Sequence, residues 1–177
     1  ARELNGVARE LDVLVRAKYP IVYVVTWEER RVEEALKEVA TARQRSLHTW
    51  SLTQGIRPPL NKTAAQRTTA LSPELDVLAQ IHEGPERTVF LLRDFHPYMK
   101  DPRVIRLLRD LAVRLRGRAQ TLVLTAPTLQ LPTELEKDLT VIEFPLPAAP
   151  EIEKKLDEIM ASVKDNPKVQ QTLEPEE

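Results

Sequence analysis

The chain has 177 residues, 42% of them hydrophobic, which is enough to bury one sizeable core. The usual domain size of about 100–200 residues favours one domain with tails. Twenty-six basic residues stand against 27 acidic ones, a formal charge of -1, so no global field draws the chain to nucleic acid or to an anionic membrane, and any such contact needs a local patch. The absence of cysteine excludes disulfides, thiolate catalysis and cysteine-ligated zinc or iron–sulfur sites, and suits a reducing, cytoplasmic setting.

The first residues of this sequence carry no signal-peptide pattern, and no apolar run approaches the roughly 18 residues a membrane-spanning helix needs. The first residue is Ala1, not Met, which leads to the expectation of a fragment or processed chain. In chain order, Leu4, Val7, Ala8, Leu11, Leu14 and Val15 recur at helical spacing and predict an amphipathic helix over residues 3–18, ending before Tyr19-Pro20. The apolar run Ile21-Val22-Tyr23-Val24-Val25-Thr26 predicts a buried strand. A second amphipathic helix starts near Glu28, with Val32, Ala35, Leu36, Val39 and Ala40 on its apolar stripe. Glu28 and Glu29 in its first turn and Arg43 and Arg45 near its end suit the helix dipole, and Glu33 and Lys37 are spaced for an ion pair.

Residues 47–52 alternate around Trp50 as a second strand, and residues 53–72 carry no sustained period and read as a long loop. Ser72-Pro73-Glu74 starts a third helix that runs to Gly84-Pro85; residues 88–93 form the next strand. Asp101-Pro102 starts a helix with Val104, Leu107, Leu108, Leu111, Ala112 and Leu115 on its apolar face, closed by Gly117. A strand at 121–125, a short helix at 132–138, a strand at 140–144 and a helical tail at 151–160 complete the chain. Continuous apolar strands alternating with amphipathic helices predict an α/β, three-layer, mostly parallel five-stranded sheet with helices on both faces.

The strand–helix junction after residue 26 is where nucleotide-binding α/β proteins place a glycine-rich phosphate loop. Here it reads Trp27-Glu28-Glu29-Arg30-Arg31. Cradling a triphosphate takes glycines, a Lys and a hydroxyl residue, and two carboxylates repel the ligand.

The order of parts resembles the AAA-type ATPase core over roughly residues 20–150. Phe90-Leu91-Leu92-Arg93-Asp94 resembles a strand ending in the acid of a Walker B motif. Leu122-Val123-Leu124-Thr125 resembles the strand ending in a polar sensor, and Leu131-Pro132-Thr133-Glu134-Leu135 through Pro147 resembles the closing segment. Tyr19-Pro20-Ile21-Val22-Tyr23, Asp94-Phe95-His96-Pro97 and Glu134-Leu135-Glu136-Lys137 are similar to the N-terminal half of the hypothetical-chloroplast-frame type AAA-family ATPases of plastids, cyanobacteria and other bacteria.

That resemblance implies a degenerate N-terminal domain preceding an active C-terminal AAA ATPase domain of the same parent. ATP and Mg then belong to the parent, which resembles homo-oligomeric ring formers, in the cytoplasm or, if plastid-encoded, the plastid stroma. The implied divisions are an N-terminal helix at 1–19, the degenerate AAA-like domain at 20–150, and a C-terminal helix with the start of a lid or linker at 151–177. Departures argue against catalysis by this chain alone: Asp94 is followed by Phe95, not a second acid, and Glu136-Lys137-Asp138 occupies the place of an arginine finger.

Trp27, Glu28, Asp94, His96 and Thr125 are the candidate residues of a degenerate pocket. Asp94 and His96 have ligand chemistry, but two ligands are not a metal site, and a turn in which Asp94 caps backbone amides is the plainer reading. Trp27 and Trp50 fit either the pocket or ordinary packing. His48 and His82 receive no role. Arg103, Arg106, Arg109, Arg114, Arg116 and Arg118 form a basic stripe, and Arg106, Asp110 and Arg114 are spaced for mutual pairing, so a solvated face is preferred to nucleic-acid binding.

The sequence reading is therefore a noncatalytic domain for protein interaction, substrate recruitment or ring assembly, with no catalytic, cofactor or metal residues and with Arg103, Arg109 and Arg116 as candidate interaction face. The alternatives are a residual nucleotide-binding regulatory domain and a nucleic-acid adaptor working through the arginine-rich helix.

Overall fold

The structure is a computed structural model and describes residues 6–60, 71–144 and 149–163. The chain divides into two compact units, residues 1–144 and 145–177. In the first unit, α1 (Gly6–Arg16) leads into β1 (Ile21–Val25), α2 (Glu29–Ala42) and β2 (Ser46–Ser51). There follow β3 (Gly55–Arg57), α3 (Pro73–His82), β4 (Thr88–Arg93), a 3₁₀ turn (His96–Lys100), α4 (Pro102–Leu115), β5 (Gln120–Ala126), a second 3₁₀ turn (Thr133–Leu135) and β6 (Thr140–Glu143).

The six strands lie in the order β3-β2-β4-β5-β1-β6, parallel except for the antiparallel β2–β3 pair. The α/β class and two-faced sheet follow the sequence reading; the count of five strands is corrected to six. β3 lies inside the stretch read as a loop. It is three residues long, too short for a period to register, and depends on Gly55 turning the chain at a φ of +65° so that Ile56 falls opposite Trp50. Within that same expected loop, residues 61–70 lie outside the described residues. The helix read over 132–138 is a single 3₁₀ turn, too short to carry a helical stripe, whose Leu135 is buried with Leu139 behind it.

Strand alternation sends side chains to two cores. Ile21, Tyr23, Phe90, Leu92, Leu122 and Leu124 face α3 and α4, whose Leu78, Ile81, Leu108 and Leu111 close that side. Val22, Val24, Val89, Leu91 and Val123 face α1 and α2, covered by Leu11, Val15, Leu36 and Val39. Each such fully buried aliphatic side chain contributes about 1.5–3 kcal/mol as an upper estimate. The stripe read on α4 is buried except for Leu107, which is half-buried.

The topology decides where a site can lie. β1 hands the chain to α2 on one face, whereas its neighbour β5 hands it to Leu131 and Leu135 on the other. The loops diverge, and the crevice outside the carboxyl ends of β1 and β5 is where open α/β sheets bind ligands. In the second unit, α5 (Ala149–Val163) exposes Ile152, Leu156 and Ile159.

Candidate functional site

Backbone bonds gather three of the expected pocket segments at that crevice. Thr26 N–H donates to Ala126 O at 2.8 Å, and Asp94 N–H donates to Thr125 O at 2.9 Å, so the ends of β1, β4 and β5 meet. Thr26 Oγ1 accepts from Glu28 N–H at 3.0 Å, which takes up one of the amides at the start of α2. Glu28 is the residue before the helix proper, and its carboxylate accepts from Arg31 Nη1 at 2.9 Å. The Arg31 guanidinium in turn lies 5.1 Å from the centre of the Phe144 ring.

The feature that defines the site is one the sequence did not suggest: Asp94, at the end of β4, acts on the Glu29 carboxyl at the start of α2. Burial first, then the charge of Asp94, raise the Glu29 pKa, while Arg93 opposes the shift. Asp94 is held there by a left-handed backbone, φ +50°, uncommon for a residue with a side chain. Arg93 pairs with Glu33 at 3.2 Å, and an open cleft of about 420 Å³ beside it is lined by Glu29, Arg30, Glu33, Glu34, Lys37 and Arg93. The expected Glu33–Lys37 pair forms at 2.7 Å.

The remaining candidates scatter. Thr125 is fully buried, its Oγ1 without a partner among the described residues; the His96 ring is half-buried, with Nδ1 likewise buried and unpartnered. Trp27 is 82% exposed at the crevice edge. Trp50 belongs to the core, edge-on to Phe95 at 5.6 Å and to Tyr98 at 6.3 Å. No cluster of three or more His, Asp or Glu suited to a metal occurs among the described residues.

On α4, Arg103 pairs with its N-cap Asp101 at 2.7 Å, Arg106 pairs with Asp110, and Arg109 and Arg116 approach Asp138 at 3.6 and 3.9 Å. Arg114 does not join Asp110 as the spacing suggested. Its Nε donates to His82 O, tying α4 to the end of α3.

These features place the chain in a class. It is an α/β domain of the AAA/P-loop ATPase kind: 92% of it superposes on 52% of a Thermotoga maritima RuvB chain at a TM-score of 0.58, with 13% identity, a likeness of fold. Residues 7–144 match the SpoVK-like AAA ATPase N-terminal domain, and the chain belongs to that family. Among curated relatives, the uncharacterized AAA domain-containing protein ycf46 of Guillardia theta is 34% identical over 158 residues and that of Trieres chinensis 32% identical over 156. These alignments cover 88% and 87% of the chain but only 30% and 31% of the relatives, so the chain spans about a third of their length.

Proposed function

We propose that this domain is a noncatalytic interaction module of an AAA-family parent, serving partner recruitment or ring assembly, with ATP and Mg handled by a C-terminal ATPase domain. The observation that carries the reading is the acidic junction itself, Glu28 and Glu29 at the start of α2 with Asp94 at the end of β4, where a phosphate loop would present amides to an anion. A triphosphate there would meet two acids in place of glycine amides, a lysine and a hydroxyl. Trp27 beside it presents a large apolar surface to solvent, the residue type that anchors protein interfaces. The face Arg103, Arg109 and Arg116 is the second proposed contact surface; its arginines remain largely exposed despite their carboxylate neighbours.

Titration of the chain with magnesium-ATP is expected to give no saturable heat at micromolar ligand; a stoichiometric micromolar site would overturn the noncatalytic reading. In the full-length parent, R103E/R109E/R116E is expected to slow assembly or partner capture in a salt-sensitive manner with the fold intact. Unchanged assembly and capture would remove this face from the proposal.

A further inference from the structure

At the amino ends of the parallel strands, across the sheet from Glu29 and Asp94, charge collects that the whole-chain balance conceals. Three turns converge there: the last turn of α1 with Arg16, the α2–β2 connection with Arg43 and Arg45, and the α3–β4 connection with Arg87. Ser46 N–H donates to Arg87 O at 3.0 Å, and Arg45 Nη2 donates to Val15 O at 3.2 Å. The Arg87 guanidinium reaches Gln44 O and Arg43 O, both at 3.4 Å. One carboxylate sits among the four arginines, Asp12, which accepts two 2.6 Å bonds from Arg43. Within this group four guanidinium groups stand against one carboxylate, an excess of three positive charges, and Lys18 in the α1–β1 turn adds a further cation while Glu83 precedes Arg87 on the chain. Glu86, beside Arg87 in the chain, is exposed and lies 4.0 Å from Arg118.

Arg45 is the informative member. Its Nη1 is buried with no partner among the described residues, and burial together with the charges of Arg87 and Arg43 lowers its pKa. The carbonyls at the ends of α1 and α2 orient these guanidinium groups, but helix ends supply only about half a negative charge each, so the edge stays positive. On α4, Arg103, Arg106, Arg109 and Arg116 are each set against a carboxylate, whereas at this edge, among the described residues, only Arg43 is, and Arg45 and Arg87 reach backbone carbonyls alone. Tyr19, in the α1–β1 turn at this same edge, is 42% exposed.

We propose that this edge binds the phosphodiester backbone of a single-stranded nucleic acid, with phosphates against the exposed Arg16 and Arg87, Arg45 adding its charge from behind them, and a base stacked on Tyr19. Guanidinium forks match phosphate oxygens two at a time, and an aromatic face beside a basic track is how single strands are held without sequence preference. An acidic protein segment would use the charge but not the ring.

The test is fluorescence anisotropy of a labelled oligothymidylate of about 15 nucleotides, a length that exceeds one such site, with the full 177-residue chain. Three net charges give an expected slope of about -2 for log affinity against log salt, at about 0.7 per phosphate for single strands. R16E/R87E is expected to lower affinity at least tenfold and flatten the slope, with folding checked by urea titration. Tyr19→Ala is expected to weaken binding severalfold and leave the slope alone. R103E/R109E/R116E is expected to leave binding within twofold. If the reversal fails to fold, R16Q/R87Q carries the same test with a smaller loss. The proposal is overturned by absence of binding at about 50 mM salt, by equal loss in the α4 triple variant, or by poly-glutamate of the same length binding as tightly, which would assign the edge to an acidic protein.

Discussion

The two ends of one sheet solve opposite electrostatic problems. At the carboxyl ends of the strands, the half-buried Glu29 at the start of α2 feels the charge of the exposed Asp94, with Glu33 nearby and Arg93 as the counter-charge. At the amino ends, Arg16, Arg43, Arg45 and Arg87 surround Asp12. An α/β sheet of this kind ordinarily keeps its affinity for anions at the carboxyl end, where helix N-termini point. Here that end is acidic, and unmatched positive charge lies at the other. A formal charge of -1 for the chain averages over this separation.

The two carboxyl groups that anchor the comparison respond to pH in opposite senses. The hydrogen bonds and charge of Arg43 hold the Asp12 carboxyl below its ordinary range against the cost of burial. Its stabilisation is therefore complete above the unfolded-state value of about 4 and is lost as pH falls through the lower folded value. Asp12→Ala removes the one acid within the arginine cluster and is expected to cost about 2–3 kcal/mol at pH 7, discounted from the fully buried case because Arg43 is partly exposed. Urea unfolding should show that loss narrowing below pH 4; equal stability at pH 7 would mean that the amino end does not depend on this pair.

Glu29→Gln acts at the other end with the reverse sign. The Glu29 carboxyl is raised, so the folded state favours its protonated form; that contribution is present below the unfolded value of about 4.3 and lost as pH rises through the folded one. The variant is expected to gain about 1 kcal/mol at pH 7, with the gain gone in acid. A loss of stability at pH 7 would show that the Glu29 carboxylate makes a stabilising contact in the folded state that outweighs its burial and the charge of Asp94.

Asp94→Gly relieves the same repulsion and also the left-handed backbone, and is expected to gain about 0.5–1 kcal/mol in thermal unfolding. Because both changes remove one interaction, the double variant should gain less than the two single gains combined; strict additivity would argue that Glu29 and Asp94 do not interact. The smallest expected effect is that of Trp27→Ala, within about 0.5 kcal/mol of the parent, since the ring is exposed. A loss of 2 kcal/mol or more would place Trp27 in the fold and remove it from the proposed contact surface.

Much of this molecule could be read along the chain. The 3.6-residue stripes of α2 and α4, the apolar runs of β1, β4 and β5, and the Asp101-Pro102 start of α4, where the Asp101 carboxylate accepts from Arg103 N–H at 2.8 Å, are local patterns, and local patterns survive in a sequence. The missing phosphate loop was legible for the same reason, as a composition at one junction. The β3 hairpin was not, because three residues and a glycine turn carry no period. Nor was the departure of Arg114 from Asp110, since i,i+4 spacing permits a pair but the carbonyl of His82 on α3 competes for the same guanidinium.

By itself, then, the sequence determined the class of fold and the lack of a glycine-rich loop at the β1–α2 junction, because both depend on residue types within one or two turns of chain. Only the tertiary structure decided which charges meet. Glu29 and Asp94 lie in separate elements and influence one another because β1 and β4 flank β5, which aligns their ends. Asp12, Arg43, Arg45 and Arg87 meet because α1 packs on α2 while β2 and β4 are parallel neighbours. Electrostatic energy depends on separation in space, and no spacing along the chain records it.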